Sequence, residues 1–185
     1  MRTLTKRARV AGTDQLDLKR YIRDIPNFPS KGILFRDITP LLQCGPAFHQ
    51  AIRTLAERHR GQRPDAIVAI ESRGLIVGSA LAYELGVGVV PVRKKGKLPH
   101  KTYQASYTLE YGQDTLEIHR DGLNKGARVL LIDDLLATGG TMSATIQLIE
   151  KCGARIIELA FLIELTALKG RARLAPHPII SLIQY

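Results

Sequence analysis

The stretch RVLLIDDLLATGGT, Arg128–Thr141, decides the fold of this chain. Its first part, RVLLID, is a short, continuous apolar run, which is typical of a parallel strand buried on both faces. The run ends in two adjacent carboxylates, Asp133 and Asp134, and a loop of small residues with two glycines follows. Because helical spacing begins directly after the glycines, the pattern predicts a strand, a tight turn and a helix in succession.

Strand and helix patterns alternate on both sides of this stretch. The predicted strands are Asp65–Ile70, Val87–Arg93, Arg128–Asp133, Ile156–Ile163 and Ile179–Ile183. The predicted helices are Pro46–His59, Leu75–Leu85 with a C-cap at Gly86, and a helix that runs from the glycine loop to Gly153. This alternation indicates an α/β fold with an open, mostly parallel sheet, right-handed crossovers and flanking helices. The apolar run Val87–Arg93 is predicted to be buried on both faces.

An antiparallel element interrupts the parallel pattern. Tyr107–Tyr111 and Thr115–Arg120 alternate apolar and polar residues, which predicts a hairpin with its turn at Gly112–Asp114. A long basic loop, Lys94–Ala105, precedes this hairpin. We expect the loop and the hairpin together, about residues 94–120, to form a flexible flap.

The N-terminal part differs from the rest of the chain. We expect residues 1–13 to form a basic arm and residues 14–185 a single domain, in which about residues 14–45 build a small hood. A short helix is predicted at Asp14–Arg23, and two prolines impose an extended segment after it.

The composition excludes several classes of protein. The 185 residues are 45% hydrophobic, enough for one packed domain. No apolar run approaches the roughly 20 residues needed to cross a bilayer, and the N-terminus lacks the apolar stretch of a secretory signal. We therefore expect a cytoplasmic protein without membrane contact. Cys44 and Cys152 are too few and too far apart for a disulfide framework or a zinc site, and the five histidines lack metal-ligand spacing.

The net charge of +10 indicates an anionic partner or a basic surface. Nucleic acid would suit the two basic clusters, one in the N-terminal arm and one at Arg93–Lys101. However, only 5% of the residues are aromatic, which leaves few platforms for base stacking. We therefore expect no nucleic-acid partner.

The segment after RVLLID offers the groups that a sugar phosphate needs. Ligands of open parallel sheets bind at the carboxyl ends of the strands. Ala137–Thr141 combines two glycines and two hydroxyls at a helix start, where backbone N–H groups and the helix dipole favour an anion. Asp133 and Asp134 could face vicinal ribose hydroxyls or a magnesium-bound donor. Solvated aspartates and a flexible turn would explain each feature singly but not their combination, and the segment is neither a Walker loop nor a G-x-G-x-x-G turn.

These residues also carry a family resemblance. VLLIDDLLATGGT, Val129–Thr141, closely resembles the phosphoribosyl pyrophosphate (PRPP) signature of type I phosphoribosyltransferases. Five further segments narrow the resemblance to the adenine phosphoribosyltransferases: GILFRDITP (Gly32–Pro40), ESRG (Glu71–Gly74), RKKGKLP (Arg93–Pro99), ASYTLEYG (Ala105–Gly112) and ELTALKG (Glu164–Gly170). They occur in the family's order and cover the chain from about Leu16 to its end. The resemblance implies the type I phosphoribosyltransferase-like fold, with the hairpin as a flap and the N-terminal region as a hood.

The resemblance also implies an activity in purine salvage. Adenine would displace pyrophosphate from PRPP and give AMP through an oxocarbenium-like transition state. Asp133 and Asp134 would bind the ribose, and Mg²⁺ would arrive with PRPP rather than on protein side chains. The residues implied for the 5′-phosphate are Ala137, Thr138, Gly139, Gly140 and Thr141.

The resemblance also implies residues that bind pyrophosphate, residues that bind adenine and two catalytic residues. The residues implied for pyrophosphate are Ser72, Arg73, Lys94, Lys97 and Tyr111, and those implied for adenine are Ile33, Phe35, Arg36 and Leu165. Arg73 and Glu110 are the implied catalytic residues, with Glu110 taking a proton from the purine. The role of Glu110 rests on the resemblance alone, because its spacing would only place it on the outer side of the hairpin. Tyr111 could equally pack, and Phe35 and Leu165 would otherwise be ordinary core residues.

The family is typically homodimeric, and a homodimer is therefore implied as well. The family usually shows a proline where Ser30-Lys31 precedes Gly32, and small or apolar residues at the position of His100-Lys101. A non-proline cis peptide is common in the turn that contains Ser72.

Two alternatives stay open at this point. The first is the same fold with another acceptor, such as xanthine. The second is a PRPP-sensing regulator that binds nucleic acid, which predicts an appended binding element; the segment before Asp14 is too short for a helix-turn-helix.

Overall fold

The computed structural model describes residues 15–109 and 112–185. The chain divides into two compact units, the first ending at Gln50 and the second formed by Ala51–Tyr185. Each unit is described by itself.

The first unit contains a small antiparallel sheet. Strand β1, Arg23–Pro26, pairs with strand β2, Leu34–Asp37, and a short helix α1, Thr39–Gln43, follows. The helix predicted at Asp14–Arg23 is reduced to a 3-10 helix, Leu18–Tyr21, within the described residues. The backbone of the next residue is already extended, because the chain must enter β1.

A seven-stranded sheet forms the centre of the second unit. Its strands are β3 (Ala66–Ile70), β4 (Gly88–Lys94), β5 (Thr102–Leu109), β6 (Gly112–His119), β7 (Arg128–Leu136), β8 (Arg155–Glu164) and β9 (Ile179–Gln184). The strand order is β5-β6-β4-β3-β7-β8-β9. Strands β4, β3, β7, β8 and β9 are parallel, whereas the hairpin β5–β6 extends the sheet antiparallel at one edge. This confirms the predicted α/β class.

The three helices predicted after residue 45 are confirmed as α2 (Gly45–His59), α3 (Arg73–Leu85) and α4 (Gly140–Cys152). A short helix α5 (Gly170–Arg173) was not predicted. Helices α3 and α4 end at glycines in the left-handed region, as predicted for Gly86 and Gly153. Helix α3 lies very close to the sheet at Gly78, where an added Cβ would collide with the side chain of Ala69. The absence of a side chain therefore sets the distance between α3 and β3.

Strand β4 is less buried than predicted. Of its residues only Val92 is fully buried, and Val89 is 41% exposed. Strand β4 pairs with β3 over five positions but with β6 only at Arg93 and Lys94. Among the described residues, no strand pairs with the first half of β4 on that side, which apolarity alone does not reveal.

The predicted turn of the hairpin was wrong. Leu109 pairs with Gly112, and Tyr107 pairs with Asp114, so that Gly112–Asp114 belongs to β6. Strand β5 also begins at Thr102, inside the segment predicted as a loop. The earlier start is stabilised by burial of apolar residues of both strands in the core beside α4.

Strand β7 is longer than its apolar run. It continues to Leu136, because β8 keeps pairing with it as far as Glu164. Asp133 and Asp134 therefore both lie within the strand, which was predicted to end at Asp133, and only Ala137–Gly139 separates it from α4.

Candidate active site

A cavity of about 370 Å³ opens where β3 and β7 end. The residues that line it are Glu71, Ser72, Arg73, Lys94, Tyr107, Leu116, Asp133, Asp134, Leu135, Leu136, Ala137, Thr138, Gly139, Gly140, Thr141, Met142 and Phe161. The structure thus brings together the paired acids, the glycine turn and the turn after β3, which are far apart in sequence.

The glycine turn has the geometry of an anion cradle. Gly139 adopts a left-handed conformation (φ 80°) and starts α4, whose first N–H groups have no acceptor in the helix itself. A Cβ on Gly139 would approach the carbonyl oxygen of Gly170 to 3.0 Å. A Cβ on Gly170 would in turn overlap the carbonyl oxygen of Ala137. Two glycines therefore keep the turn compact, and the supporting role of Gly170 was not recognised from the sequence.

The two carboxylates differ in their surroundings. Asp134 is buried and accepts a hydrogen bond from Nε of Arg73. The Asp134 N–H donates to Oδ1 of Asp133 at 2.9 Å. Burial and the neighbouring charge of Asp134 raise the pKa of Asp133 well above its ordinary value. An added Cβ on Gly74 would lie 2.7 Å from Oδ1 of Asp133, so this glycine lets the start of α3 approach the acids.

The turn after β3 forms the second side of the cavity. The Glu71–Ser72 peptide bond is cis, as the resemblance implied. Glu71 accepts hydrogen bonds from the backbone N–H of Lys94 at 3.0 Å and from Nε of Arg93 at 3.1 Å. Burial raises the pKa of Glu71, but these donors outweigh it and lower the pKa below its usual range. The glutamate thereby ties the end of β4 to the turn that presents Arg73.

Of the two lysines implied for pyrophosphate, only Lys94 lines the cavity. Lys94 is the last residue of β4. Lys97 lies in the loop that follows, where its carbonyl oxygen accepts a hydrogen bond from Nη1 of Arg93 at 3.1 Å. Glu110 and Tyr111, implied for proton transfer and for pyrophosphate, lie outside the described residues.

Three of the residues implied for adenine belong to the first unit. Ile33 immediately precedes β2, and Phe35 and Arg36 lie within it. Phe35 contacts the ring of Phe28 edge-on, with 5.1 Å between the ring centroids. Arg36 pairs with Asp24 at 2.5 Å.

The fourth residue, Leu165, lies in the second unit. It follows β8, and its N–H donates to the carbonyl oxygen of Leu136 at 2.9 Å. Leu165 is therefore attached to the end of the strand that carries the two acids.

Tyr107, another cavity residue, was missed by sequence reasoning. Burial raises the pKa of its phenol, and its hydroxyl hydrogen-bonds the side chains of Thr141 and Asp114. The alternating pattern placed Tyr107 on a strand, but only the observed register shows which residues it meets.

The residues that the structure describes contain no helix long and apolar enough to cross a membrane. They also contain no group of three or more His, Cys, Asp or Glu side chains arranged to hold a metal ion.

Comparisons with known proteins agree with this geometry. Residues 42–178 match the family model of the phosphoribosyl transferase domain. The adenine phosphoribosyltransferase of Carboxydothermus hydrogenoformans is 57% identical over 170 residues, which are 92% of this chain and 100% of that protein.

Solved structures are similar as well. The adenine phosphoribosyltransferase of Thermoanaerobacter pseudethanolicus has a TM-score of 0.88 and 52% identity, over 91% of this chain and 98% of that one. The Saccharomyces cerevisiae enzyme, complexed with adenine and an imino-altritol bisphosphate, has a TM-score of 0.86 and 41% identity, over 89% of this chain and 96% of that one. From the shared architecture, the shared signature and these identities, the chain belongs to the adenine phosphoribosyltransferase family.

Proposed function

We propose that this protein transfers the phosphoribosyl group of PRPP to adenine, forming AMP and releasing pyrophosphate. The observation that carries the proposal is that a glycine turn at a helix start, two carboxylates and a basic turn line the same cavity. PRPP has a terminal phosphate, a ribose with vicinal hydroxyls and a pyrophosphate. Each of the three protein groups suits one of these parts.

The 5′-phosphate binds at Ala137–Thr141. The first N–H groups of α4 and the left-handed Gly139 offer donors at the positive end of a thirteen-residue helix. The hydroxyls of Thr138 and Thr141 add further donors to phosphate oxygens.

The ribose binds at Asp133 and Asp134. Carboxylate oxygens accept hydrogen bonds from vicinal hydroxyls, and negative charge favours the cationic character that the ribosyl group develops as pyrophosphate leaves. The pairing with Arg73 places a positive charge directly against the buried carboxylate of Asp134. Asp133, whose pKa is raised, is free to hydrogen-bond a hydroxyl in either protonation state.

Pyrophosphate binds at the other side of the cavity. Arg73 and Lys94 line it and carry the positive charges that a leaving pyrophosphate needs. Ser72 offers its hydroxyl from the same turn. Lys97, in the basic loop after β4, and Tyr111 complete the set when the flap of about residues 94–120 closes.

Magnesium accompanies the donor. Mg²⁺ prefers oxygen ligands and retains several waters, and it is usually held by one or two carboxylates together with substrate phosphates. We expect the pyrophosphate and ribose oxygens of PRPP to hold the ion, and Asp133 and Asp134 to bind the ribose rather than the metal. When bound, the ion neutralises charge on the leaving pyrophosphate.

Adenine is recognised by Ile33, Phe35, Arg36 and Leu165. Phe35 offers a ring for stacking, and backbone groups around Ile33 suit the donor–acceptor edge of a 6-aminopurine. Glu110 accepts the proton that the purine loses on attack. The yeast relative that was solved with adenine supports the choice of acceptor.

The active form is a homodimer. Ile76 and Tyr83 lie seven residues apart and so on one face of α3; they are 48% and 89% exposed. Val89, in the first half of β4, is also exposed, and helix α3 contacts β4. A second copy of this chain would remove these apolar side chains from water. The cytoplasmic location stays a prediction.

An acceptor screen tests the function. Purified protein with labelled PRPP and Mg²⁺ should convert adenine to AMP, and hypoxanthine, guanine and xanthine should react far more slowly. Consumption of a 6-oxopurine in preference to adenine would contradict the assignment. Glu110→Gln should lower kcat while leaving PRPP affinity nearly unchanged.

A further inference from the structure

Asp114 joins two side chains of the cavity through one carboxylate. Its Oδ2 atom pairs with Nζ of Lys94 at 3.0 Å and accepts a longer hydrogen bond from the Tyr107 hydroxyl at 3.4 Å. Its Oδ1 atom accepts from the N–H of Thr115 at 2.8 Å, which fixes the orientation of the carboxylate. Lys94 and Tyr107 line the cavity, so Asp114 contacts two of the side chains that form its wall.

The register of the strands explains this arrangement. Tyr107 on β5 lies directly opposite Asp114 on β6, and Lys94 on β4 lies opposite Leu116. Residues two apart on a strand share a face, so Asp114 and Leu116 point to the same side of the sheet as their partners. Leu116, Lys94 and Tyr107 all line the cavity, which identifies that side as the ligand side.

The network continues to the turn proposed for the 5′-phosphate. The hydroxyl of Tyr107 also hydrogen-bonds the side chain of Thr141, in the first turn of α4. At the other end of α4, Nζ of Lys151 donates to the carbonyl oxygen of Gln104 on β5 at 2.5 Å. The hairpin is thus connected to both ends of the helix that begins at the phosphate turn.

The contacts of Asp114 keep its carboxylate negatively charged, although it lies close to a cavity proposed for an anion. Burial raises its pKa, but the hydrogen bonds from Lys94 and from the Thr115 N–H outweigh burial and lower the pKa below its usual range. The carboxylate is therefore ionised at neutral pH. A fixed negative charge beside a polyanion site weakens anion binding unless it organises the cations that the anion meets.

We propose that Asp114 is a positioning residue for the donor: it holds the Lys94 ammonium and the Tyr107 hydroxyl at the cavity wall, so that both meet the phosphates of PRPP already ordered. The inference rests on the proposed function. A lysine side chain has four rotatable carbon–carbon bonds, and ordering it only on binding would weaken the affinity. Asp114 carries out this ordering in the free protein.

Calorimetric titration with PRPP and Mg²⁺ tests the proposal. Asp114→Asn keeps the shape but removes the charge, and it should weaken PRPP binding about tenfold while adenine binding changes little. Asp121→Asn is the matched control, because it removes the same charge from a carboxylate that is 72% exposed. The Asp121 carboxylate makes only a long pair with His100, at 3.8 Å. The control should bind PRPP like the unaltered protein. Unchanged binding by Asp114→Asn would show that the aspartate does not position the donor site, and tighter binding would show that it masks Lys94; either result would overturn the proposal.

A double-mutant cycle separates positioning from general electrostatics. If Asp114 acts through Lys94, then Asp114→Asn should weaken binding much less in a Lys94→Met background than in the unaltered protein. A full, additive loss in that background would refute the role. Should Asp114→Asn not fold, Tyr107→Phe removes only the other hydroxyl contact and should weaken PRPP binding about threefold; unchanged affinity would then count against the network.

Assays of the unaltered protein show whether the positioning role alone is wrong or the proposed function is wrong as well. If it forms AMP from adenine and PRPP while Asp114→Asn binds PRPP normally, only the positioning role is wrong. If the unaltered protein neither binds PRPP nor forms AMP, the proposed function is wrong and the inference falls with it.

Discussion

Nε of Arg73, at the start of α3, donates a hydrogen bond to Oδ2 of Asp134, near the end of β7. The contact joins residues 61 positions apart and connects the side proposed for pyrophosphate with the side proposed for ribose. The guanidinium also compensates a buried carboxylate, so a change at Arg73 affects stability and donor binding together.

Replacement of Arg73 by glutamine should lower kcat/KM for PRPP about 100-fold, because a cation at the leaving group is lost. It should also reduce thermal stability, since Asp134 is left buried without its charged partner. Steady-state kinetics and thermal melts check the two effects. Arg53→Gln, which breaks only an exposed pair with Glu57, is the control; comparable kinetic losses in both variants would contradict the role of Arg73.

Gly170→Ala should displace the turn at Ala137–Gly139, which is proposed to bind the 5′-phosphate. The new Cβ would overlap the carbonyl oxygen of Ala137, so that the turn must shift. We expect a loss of about 2 kcal/mol in unfolding free energy and a clear rise in the Kd for PRPP. Gly61→Ala meets no atom within 4 Å and should leave both quantities unchanged. Chemical denaturation and calorimetry measure them, and normal PRPP affinity in Gly170→Ala would contradict this view of the turn.

Asp133→Asn should stabilise the ligand-free protein and weaken donor binding. The folded-state pKa of Asp133 is raised, so the folded state holds this proton more tightly than the unfolded state does. The stability from Asp133 is therefore fully present below the unfolded value of about 3.9 and is lost as pH rises through the folded pKa. Asparagine carries no charge at neutral pH, so Asp133→Asn avoids the destabilisation that the buried carboxylate causes when it ionises. A melting temperature that stays the same or falls at pH 7 would count against this explanation.

Glu158→Gln should destabilise the fold without touching the cavity. Glu158 is buried and accepts hydrogen bonds from Arg58 at 2.6 and 2.8 Å and from the buried His59 at 2.7 Å. We expect a loss of about 3 kcal/mol at pH 7. The exposed Glu57→Gln serves as the control and should cost less than about 0.5 kcal/mol.

The pH dependence of this difference follows from the pKa of Glu158. Burial raises that pKa, but the hydrogen bonds from Arg58 and His59 outweigh burial and lower it. A carboxyl with a lowered folded-state pKa stabilises the protein above its unfolded value of about 4.3, and the effect disappears as pH falls through the folded pKa. Urea unfolding of both proteins from pH 7 to pH 3 should show the gap closing. A constant gap over that range would show that the charge of Glu158 is not its cause.

Tyr83→Asp should separate the proposed dimer. The side chain is 89% exposed and lies on the same face of α3 as Ile76, so a charge there would be buried only if a second copy covers it. Sedimentation velocity should show a dimer for the unaltered protein and a monomer for the variant. A monomeric unaltered protein would refute the dimer directly.

Much of the parallel fold was predictable from short segments. The apolar run at β7, the glycine C-caps at Gly86 and Gly153 and the glycine turn before α4 each depend on neighbouring residues only. Local patterns of this kind express backbone preferences and burial along a single element, and the sequence carries them directly.

Other features depended on contacts between elements. The register of β5 and β6 moved the hairpin turn and brought Tyr107 opposite Asp114, and pairing with β8 extended β7 past its two aspartates. The packing of Gly170 under the phosphate turn joins residues that are more than 30 positions apart. A pattern along one strand cannot reveal which strand lies beside it.

By itself, the sequence therefore determined the α/β class, the buried strand that leads to Asp133, and the helix start that suits a phosphate. Only the tertiary structure decided that Arg73 pairs with Asp134 and that Asp114 pairs with Lys94. The physical reason is that strand and turn preferences act over a few residues, whereas charge pairing depends on distances that exist only after the sheet has assembled.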